Sequence, residues 1–136
     1  MTTELSWLLA TALLSGSLWI PYIVGINLTD YPGKANQFLR PPDPSTMAPW
    51  VHRAWRAHLN SLEQLLPFAL VVVIGRLADV STPVTRFCAG LYFAVRLVHA
   101  VGMISGLARL PVRPALYFTG WVAMLVYAWQ IVTHGR

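Results

Sequence analysis

Charge is scarce in this 136-residue chain: 11% of its residues are charged against 56% hydrophobic, and the mean hydropathy is +0.54. Soluble domains carry roughly 25% charged residues, so the balance excludes an ordinary water-soluble globule and points to the bilayer. Cysteine is nearly absent too. Cys88 stands alone, which excludes an internal disulfide and a multi-cysteine metal centre, and no metal site is expected. Acidic residues number five against ten Lys and Arg, a formal net charge of +5. The basic residues are scattered among apolar segments rather than gathered in a stripe, so nucleic acid is not an expected partner. Alternating strands of about ten residues are missing, which argues against a β-barrel. The first apolar segment is preceded by Glu4 and by no basic residue, and further apolar segments follow it. It is therefore expected to be retained rather than cleaved, with the mature chain starting near Met1.

What the chain does contain is four apolar segments, about residues 5–28, 49–78, 83–107 and 114–133, each reaching the ~20 residues that a bilayer-crossing helix needs. They predict an all-α integral membrane four-helix bundle, a single domain over 1–136 that completes its packing by oligomerising. Pro21 should bend the first helix. Helix two, at 1.5 Å per residue, is about 45 Å long and exceeds a hydrocarbon core of ~30 Å, so its first turns must overhang the membrane. Pro67 should kink it. Thr82-Pro83 reads as an N-cap and first residue of helix three, Gly102 and Gly106 permit close helix packing, and the short linker from Ala108 to Arg113 makes helices three and four a hairpin. Lys34, Arg40, Arg53, Arg56, Arg109 and Arg113 lie in or beside the first and third loops, against Arg76, Arg86 and Arg136 on the other side. That bias puts both loops in the cytoplasm and the termini on the opposite side.

The informative stretch is polar. Arg53, Arg56, Asn60 and Glu63 fall within an arc of about 80° on helix two, with His58 on a different face. On helix three, Tyr92, Arg96, His99 and Met103 share a face by their spacing. A charge near mid-bilayer costs about 2.5–3.5 kcal/mol, so Glu63 and Arg96 are expected to face the interior, towards each other. A purely structural reading has Glu63 paired with Arg96 and Arg53 and Arg56 snorkelling to the interface. Against it stands the excess of donors: five arginines, at 53, 56, 96, 109 and 113, share one end of the bundle with Glu63 as the nearby carboxylate. Several guanidinium groups are thus left for an anionic ligand.

The stretch Arg56-Ala-His-Leu-Asn60-Ser-Leu-Glu63-Gln-Leu-Leu-Pro67-Phe68, with Arg96-Leu-Val-His99 and Arg109-Leu-Pro111-Val-Arg113, resembles the MAPEG family, the membrane-associated proteins of eicosanoid and glutathione metabolism. The resemblance implies a homotrimer in the membrane with glutathione between adjacent subunits near the cytoplasmic face, its thiol aimed at a lipophilic small-molecule substrate. It implies that Arg56, Asn60 and Glu63, with Arg53, hold the tripeptide's carboxylates and amino group. His58 serves a site shared with the neighbouring subunit, Arg96, His99 and Arg109 line the other side, and Tyr117 edges the pocket. Arg113 takes the catalytic role of stabilising the thiolate.

Glutathione's two carboxylates and one ammonium group complement surplus arginines and one glutamate. A thiol of pKa near 8.5 is a few per cent ionised at pH 7, and a close guanidinium can lower that pKa by about two units. The nucleophile then comes from the cofactor, so no Ser-His-Asp or Cys-His set is needed. Two departures from the family pattern bear on thiol activation. Met103 stands where glutathione-active relatives usually carry a tyrosine, and Pro114 follows Arg113 where one branch has a hydroxyl residue. The functional expectation is a glutathione-dependent transferase or peroxidase acting on lipophilic electrophiles or lipid hydroperoxides. The alternative is a non-catalytic membrane scaffold that keeps the polar residues as a structural network.

Overall fold

In the computed structural model, which describes residues 1–36, 39 and 42–135, five α-helices form four units long and apolar enough to cross a membrane, with no strand among the described residues. Arg40 and Arg136, used above for orientation, lie outside the described residues. The first unit, Thr3–Leu28, is broken into α1 (Thr3–Ser17) and α2 (Trp19–Leu28). The break at Leu18 lies three residues before the expected bend at Pro21, because proline has no N–H to return to the carbonyl four residues back, here Ser17, and its ring crowds that carbonyl.

Next come α3 (Pro49–Leu77), α4 (Pro83–Ser105) and α5 (Val112–His134), close to the expected bounds. Pro49 occupies the first turn of α3, where a missing N–H costs nothing. Pro67 is accommodated inside that continuous helix. Thr82 caps α4 through a capping box with Thr85, each side chain bonded to the other's backbone N–H. At its far end α4 stops at Ser105, two residues early, because Gly106 turns left-handed at φ +80°, a conformation that glycine adopts without penalty. The glycine pair therefore does not form the helix-packing face expected of it. A Cβ on Gly102 would meet Cβ of Ala108 at 2.7 Å, so this glycine makes room for the returning linker.

The helices meet in two apolar clusters. Phe68 and Val72 of α3, Cys88, Ala89 and Tyr92 of α4, and Ala123 and Tyr127 of α5 form the larger one, with the Phe68 and Tyr92 rings stacked at 3.8 Å. The smaller joins Ile26, Tyr31, Met47 and Val51. Polar side chains tie α1 to its neighbours. Ser15 and Ser61 bond hydroxyl to hydroxyl at 2.7 Å, and the buried Glu4 accepts from the hydroxyls of Ser81 and Thr85.

Close approach of α2 to α3 depends on Gly25. A Cβ there would sit 2.5 Å from Cγ2 of Val51 and 2.8 Å from the Trp50 ring. Gly25→Ala is thus expected to destabilise the fold by about 1–3 kcal/mol, the usual cost of overpacking, seen as a lower unfolding midpoint in detergent. An unchanged midpoint would show that α2 does not rest on α3.

Candidate functional site

At the end of the bundle where α3 begins and the α4–α5 linker turns, a cleft of about 520 Å³ is lined by Asn60, His99, Leu110, Arg113, Pro114, Tyr117 and Phe118. Three helices build it. The face predicted for α4 is real: Tyr92, Arg96, His99 and Met103 are all buried, because one apolar helix can hide four large side chains at helical spacing only by turning them towards its neighbours. Arg96, 4% exposed, is stretched across to α3, where its Nη2 donates to the backbone carbonyl of Asn60 at 3.0 Å and to Asn60 Oδ1 at 2.8 Å.

This corrects the expectation that Glu63 and Arg96 face one another. Glu63 is exposed on the outer side of α3 and makes no ion pair among the described residues. The reason is angular: Asn60 and Glu63 are three residues apart, about 60° on a helix, enough to put one side chain against α4 and the other outside. Arg56 is exposed on that same outer side. Asn60 thus supplies the neutral partner that a buried guanidinium needs, while a second formal charge is kept out of the interior.

Arg113 and Tyr117 are one turn apart on α5 and both open to the cleft. Arg113 makes no ion pair among the described residues, so its cation is uncompensated. Tyr117 accepts a hydrogen bond from Gln64 Nε2 at 2.9 Å, and the carbonyl of Gln64 in turn accepts from the hydroxyl of Tyr92 at 2.7 Å. Because Tyr117 accepts from Gln64, its own O–H is left to donate into the cleft. Sequence reasoning missed Gln64, although its place four residues after Asn60, on the same helical face, was a usable signal. The cleft walls Leu110 and Phe118 were missed as well, and nothing distinguishes them in sequence from other apolar residues.

The remaining expected site residues lie elsewhere. Arg53 donates from Nε to the carbonyl of Ile104 at 3.2 Å, at the last turn of α4. Arg109 is exposed on the linker outside the cleft lining, and His58 is half-buried on α3 with its Nδ1 buried and unpartnered among the described residues. Met103, 5% exposed, fills space between helices and is not part of the cleft lining. One chain therefore brings Asn60, His99, Arg113 and Tyr117 together, backs them with Arg96, and leaves Arg56 and Glu63 on a separate outer face. The three acceptor and donor groups beside an unpaired arginine suit a polar, anionic ligand at one wall, while Leu110, Pro114 and Phe118 suit an apolar molecule at the other.

Microsomal glutathione S-transferase 1 of Homo sapiens and that of Sus scrofa are each 31% identical to this chain over 84 residues, and that of Rattus norvegicus is 30% identical. Each match covers 60% of this chain and 52% of the relative, so the chain spans about half the length of these relatives. The MAPEG family model matches residues 5–133, nearly the whole chain. With that match and four helices able to cross a bilayer, the chain is a multi-pass integral membrane protein that belongs to the MAPEG family.

Proposed function

We propose that this protein is a glutathione-dependent membrane transferase or peroxidase acting on lipophilic electrophiles or lipid hydroperoxides. The observation that carries the reading is Arg113: an unpaired guanidinium in a cleft whose polar side holds Asn60, His99 and Tyr117 and whose other side is apolar. When bound, glutathione supplies the sulfur nucleophile. The chain's own residues then have distinct tasks. Arg113 holds negative charge at the sulfur, which favours the ionised thiol. Tyr117, oriented by Gln64, donates its O–H into the same cleft and supplies a hydroxyl where Met103 has none to offer. Asn60, locked by two bonds from Arg96, presents the rest of its amide to the ligand.

Arg56 and Glu63 complete the complement to an ammonium group and two carboxylates, and we place them in the site of an adjacent subunit. The face that carries them supports this. Arg56 and, one heptad on, Glu63, Leu66, Leu70, Val73 and Leu77 at three- and four-residue steps are exposed along α3, the pattern of a helix that packs against copies of itself. A homotrimer about this stripe would bring the outer residues of one α3 towards the cleft of its neighbour. His58, with an unpartnered buried nitrogen, is then available to the shared boundary. In the same reading the first and third loops face the cytoplasm, which sets the cleft at that membrane surface, where a water-soluble tripeptide enters from one side and a lipid-dissolved substrate from the other.

Calorimetry of the purified protein with glutathione tests the proposal: saturable binding is expected, and none would remove it. The bond set of Arg96 with Asn60 favours one competing reading, a scaffold held by a structural polar network. The two part at Arg56→Ala. Since Arg56 is exposed and makes no ion pair among the described residues, this variant is expected to stay assembled and lose about tenfold or more in glutathione affinity, the worth of a charge-assisted bond to a carboxylate. Loss of assembly with unaltered affinity would favour the scaffold.

A further inference from the structure

Arg53 sits one turn before Arg56 on α3, yet it is occupied with the end of α4. Three of the last-turn carbonyls of α4 find a donor. Gly102 accepts from the N–H of Ala108 at 2.9 Å, Met103 from the N–H of Gly106 at 3.2 Å, and Ile104 from Nε of Arg53 at 3.2 Å. The guanidinium also lies flat against Gly106: a Cβ on that residue would be 3.2–3.4 Å from its Cζ, Nη2 and Nε atoms. Two constraints meet at Gly106. It is left-handed where the helix ends, at φ +80°, and a side chain there would crowd the arginine that covers it. A cation there also sits at the negative end of the helix dipole.

Seven residues after Gly106 the chain reaches Arg113. The path is short and tied: Ala108 bonds back to Gly102, Arg113 bonds back to Arg109, and Leu110 forms a wall of the cleft. We propose that Arg53 is a positioning residue, which locks the first turns of α3 to the left-handed end of α4 and so sets where the linker delivers Arg113. Asn60 and Gln64, seven and eleven residues further along α3, hold the other side of the cleft. The clamp therefore fixes the separation between the two walls. It rests on the reading of Arg113 given above only for its effect on turnover. The mechanical claim stands without it.

Limited trypsin digestion of the intact protein in detergent reads the clamp directly. Arg109-Leu110 is a cleavable bond on an exposed linker, whereas Arg113-Pro114 is protected by the proline. Cleavage at Arg109 is expected to be about tenfold faster in Arg53→Ala than in the wild type, as local opening becomes easier, and unchanged in Arg56→Ala. In the same preparation kcat for a lipophilic electrophile should fall about tenfold while glutathione affinity stays within about twofold, since displacement of a catalytic group by an ångström costs that much or more. Arg53→Lys keeps the charge and the stem but lacks the planar fork. It should fall between the two and carries the comparison if the alanine variant does not fold. An unchanged cleavage rate overturns the proposal. So does a loss of glutathione affinity of tenfold or more with wild-type protection, which would make Arg53 a ligand. If the wild type binds no glutathione, the transferase reading falls and the cleavage arm still decides the clamp.

Discussion

Arg113→Ala is expected to cut conjugation about 25-fold at pH 7, from ionisation alone: a thiol of pKa near 8.5 is a few per cent ionised, and one held about two units lower is roughly three quarters ionised. Two opposing effects modify that figure. A less basic thiolate is a weaker nucleophile, which moderates the loss, while the guanidinium also places the sulfur against the apolar wall of Leu110, Pro114 and Phe118, which deepens it. The decisive readout is the pH profile. In the wild type the rate should rise through about pH 6.5 and level off above about pH 7.5, and in Arg113→Ala it should go on rising through about pH 8.5, so the deficit shrinks as bulk hydroxide takes over the ionisation. Arg113→Lys should recover part of the activity, since a point charge replaces the planar group. Identical profiles for wild type and Arg113→Ala would remove Arg113 from the chemistry.

Phe68→Ala should produce the largest loss of stability. The ring is 1% exposed and lies parallel to Tyr92 at 3.8 Å, in the cluster where α3, α4 and α5 meet. Removing a buried phenylalanine costs about 3–5 kcal/mol in soluble cores. The lower end of that range is expected here, because packing rather than transfer from water holds membrane helices together. The damage should reach the site. Phe68 buttresses Tyr92, the hydroxyl of Tyr92 bonds the carbonyl of Gln64, and Gln64 orients Tyr117. A lower unfolding midpoint together with weaker glutathione binding is the expected pair of results, and Phe68→Leu should restore most of both. A wild-type midpoint in Phe68→Ala would mean that the cluster does not hold the three helices.

Four apolar segments, the starts of two of them and the polar faces of two helices were legible residue by residue. Helix existence follows from apolar length, and helix starts follow from local chemistry at Thr82 and Pro49, whereas the stop at Gly106 was not read from the sequence. The buried face of Tyr92, Arg96, His99 and Met103 was legible for the same reason, since periodicity encodes which side of a helix is hidden. The Arg53–Glu63 stripe was legible as a stripe, but not as three separate destinations. Arg53 went to a helix end, Asn60 to a buried arginine, and Arg56 and Glu63 to the outside. An arc of about 80° is wide enough to touch two neighbours at once, and spacing along one helix says nothing about where the next helix lies.

By itself, then, the amino-acid order determined a membrane-crossing all-helical chain, its family motif and an excess of guanidinium groups at one end, because hydropathy, capping and charge are local properties. Only the tertiary structure decided which cations are spent inside the bundle and which, among the described residues, opens to the cleft. Arg96 is spent on Asn60 and Arg53 on Ile104, whereas Arg113 opens to the cleft. The physical reason is that a buried donor takes whatever acceptor the packing brings within about 3 Å, and that acceptor, a backbone carbonyl 51 residues away in the case of Arg53, has no signature in the sequence.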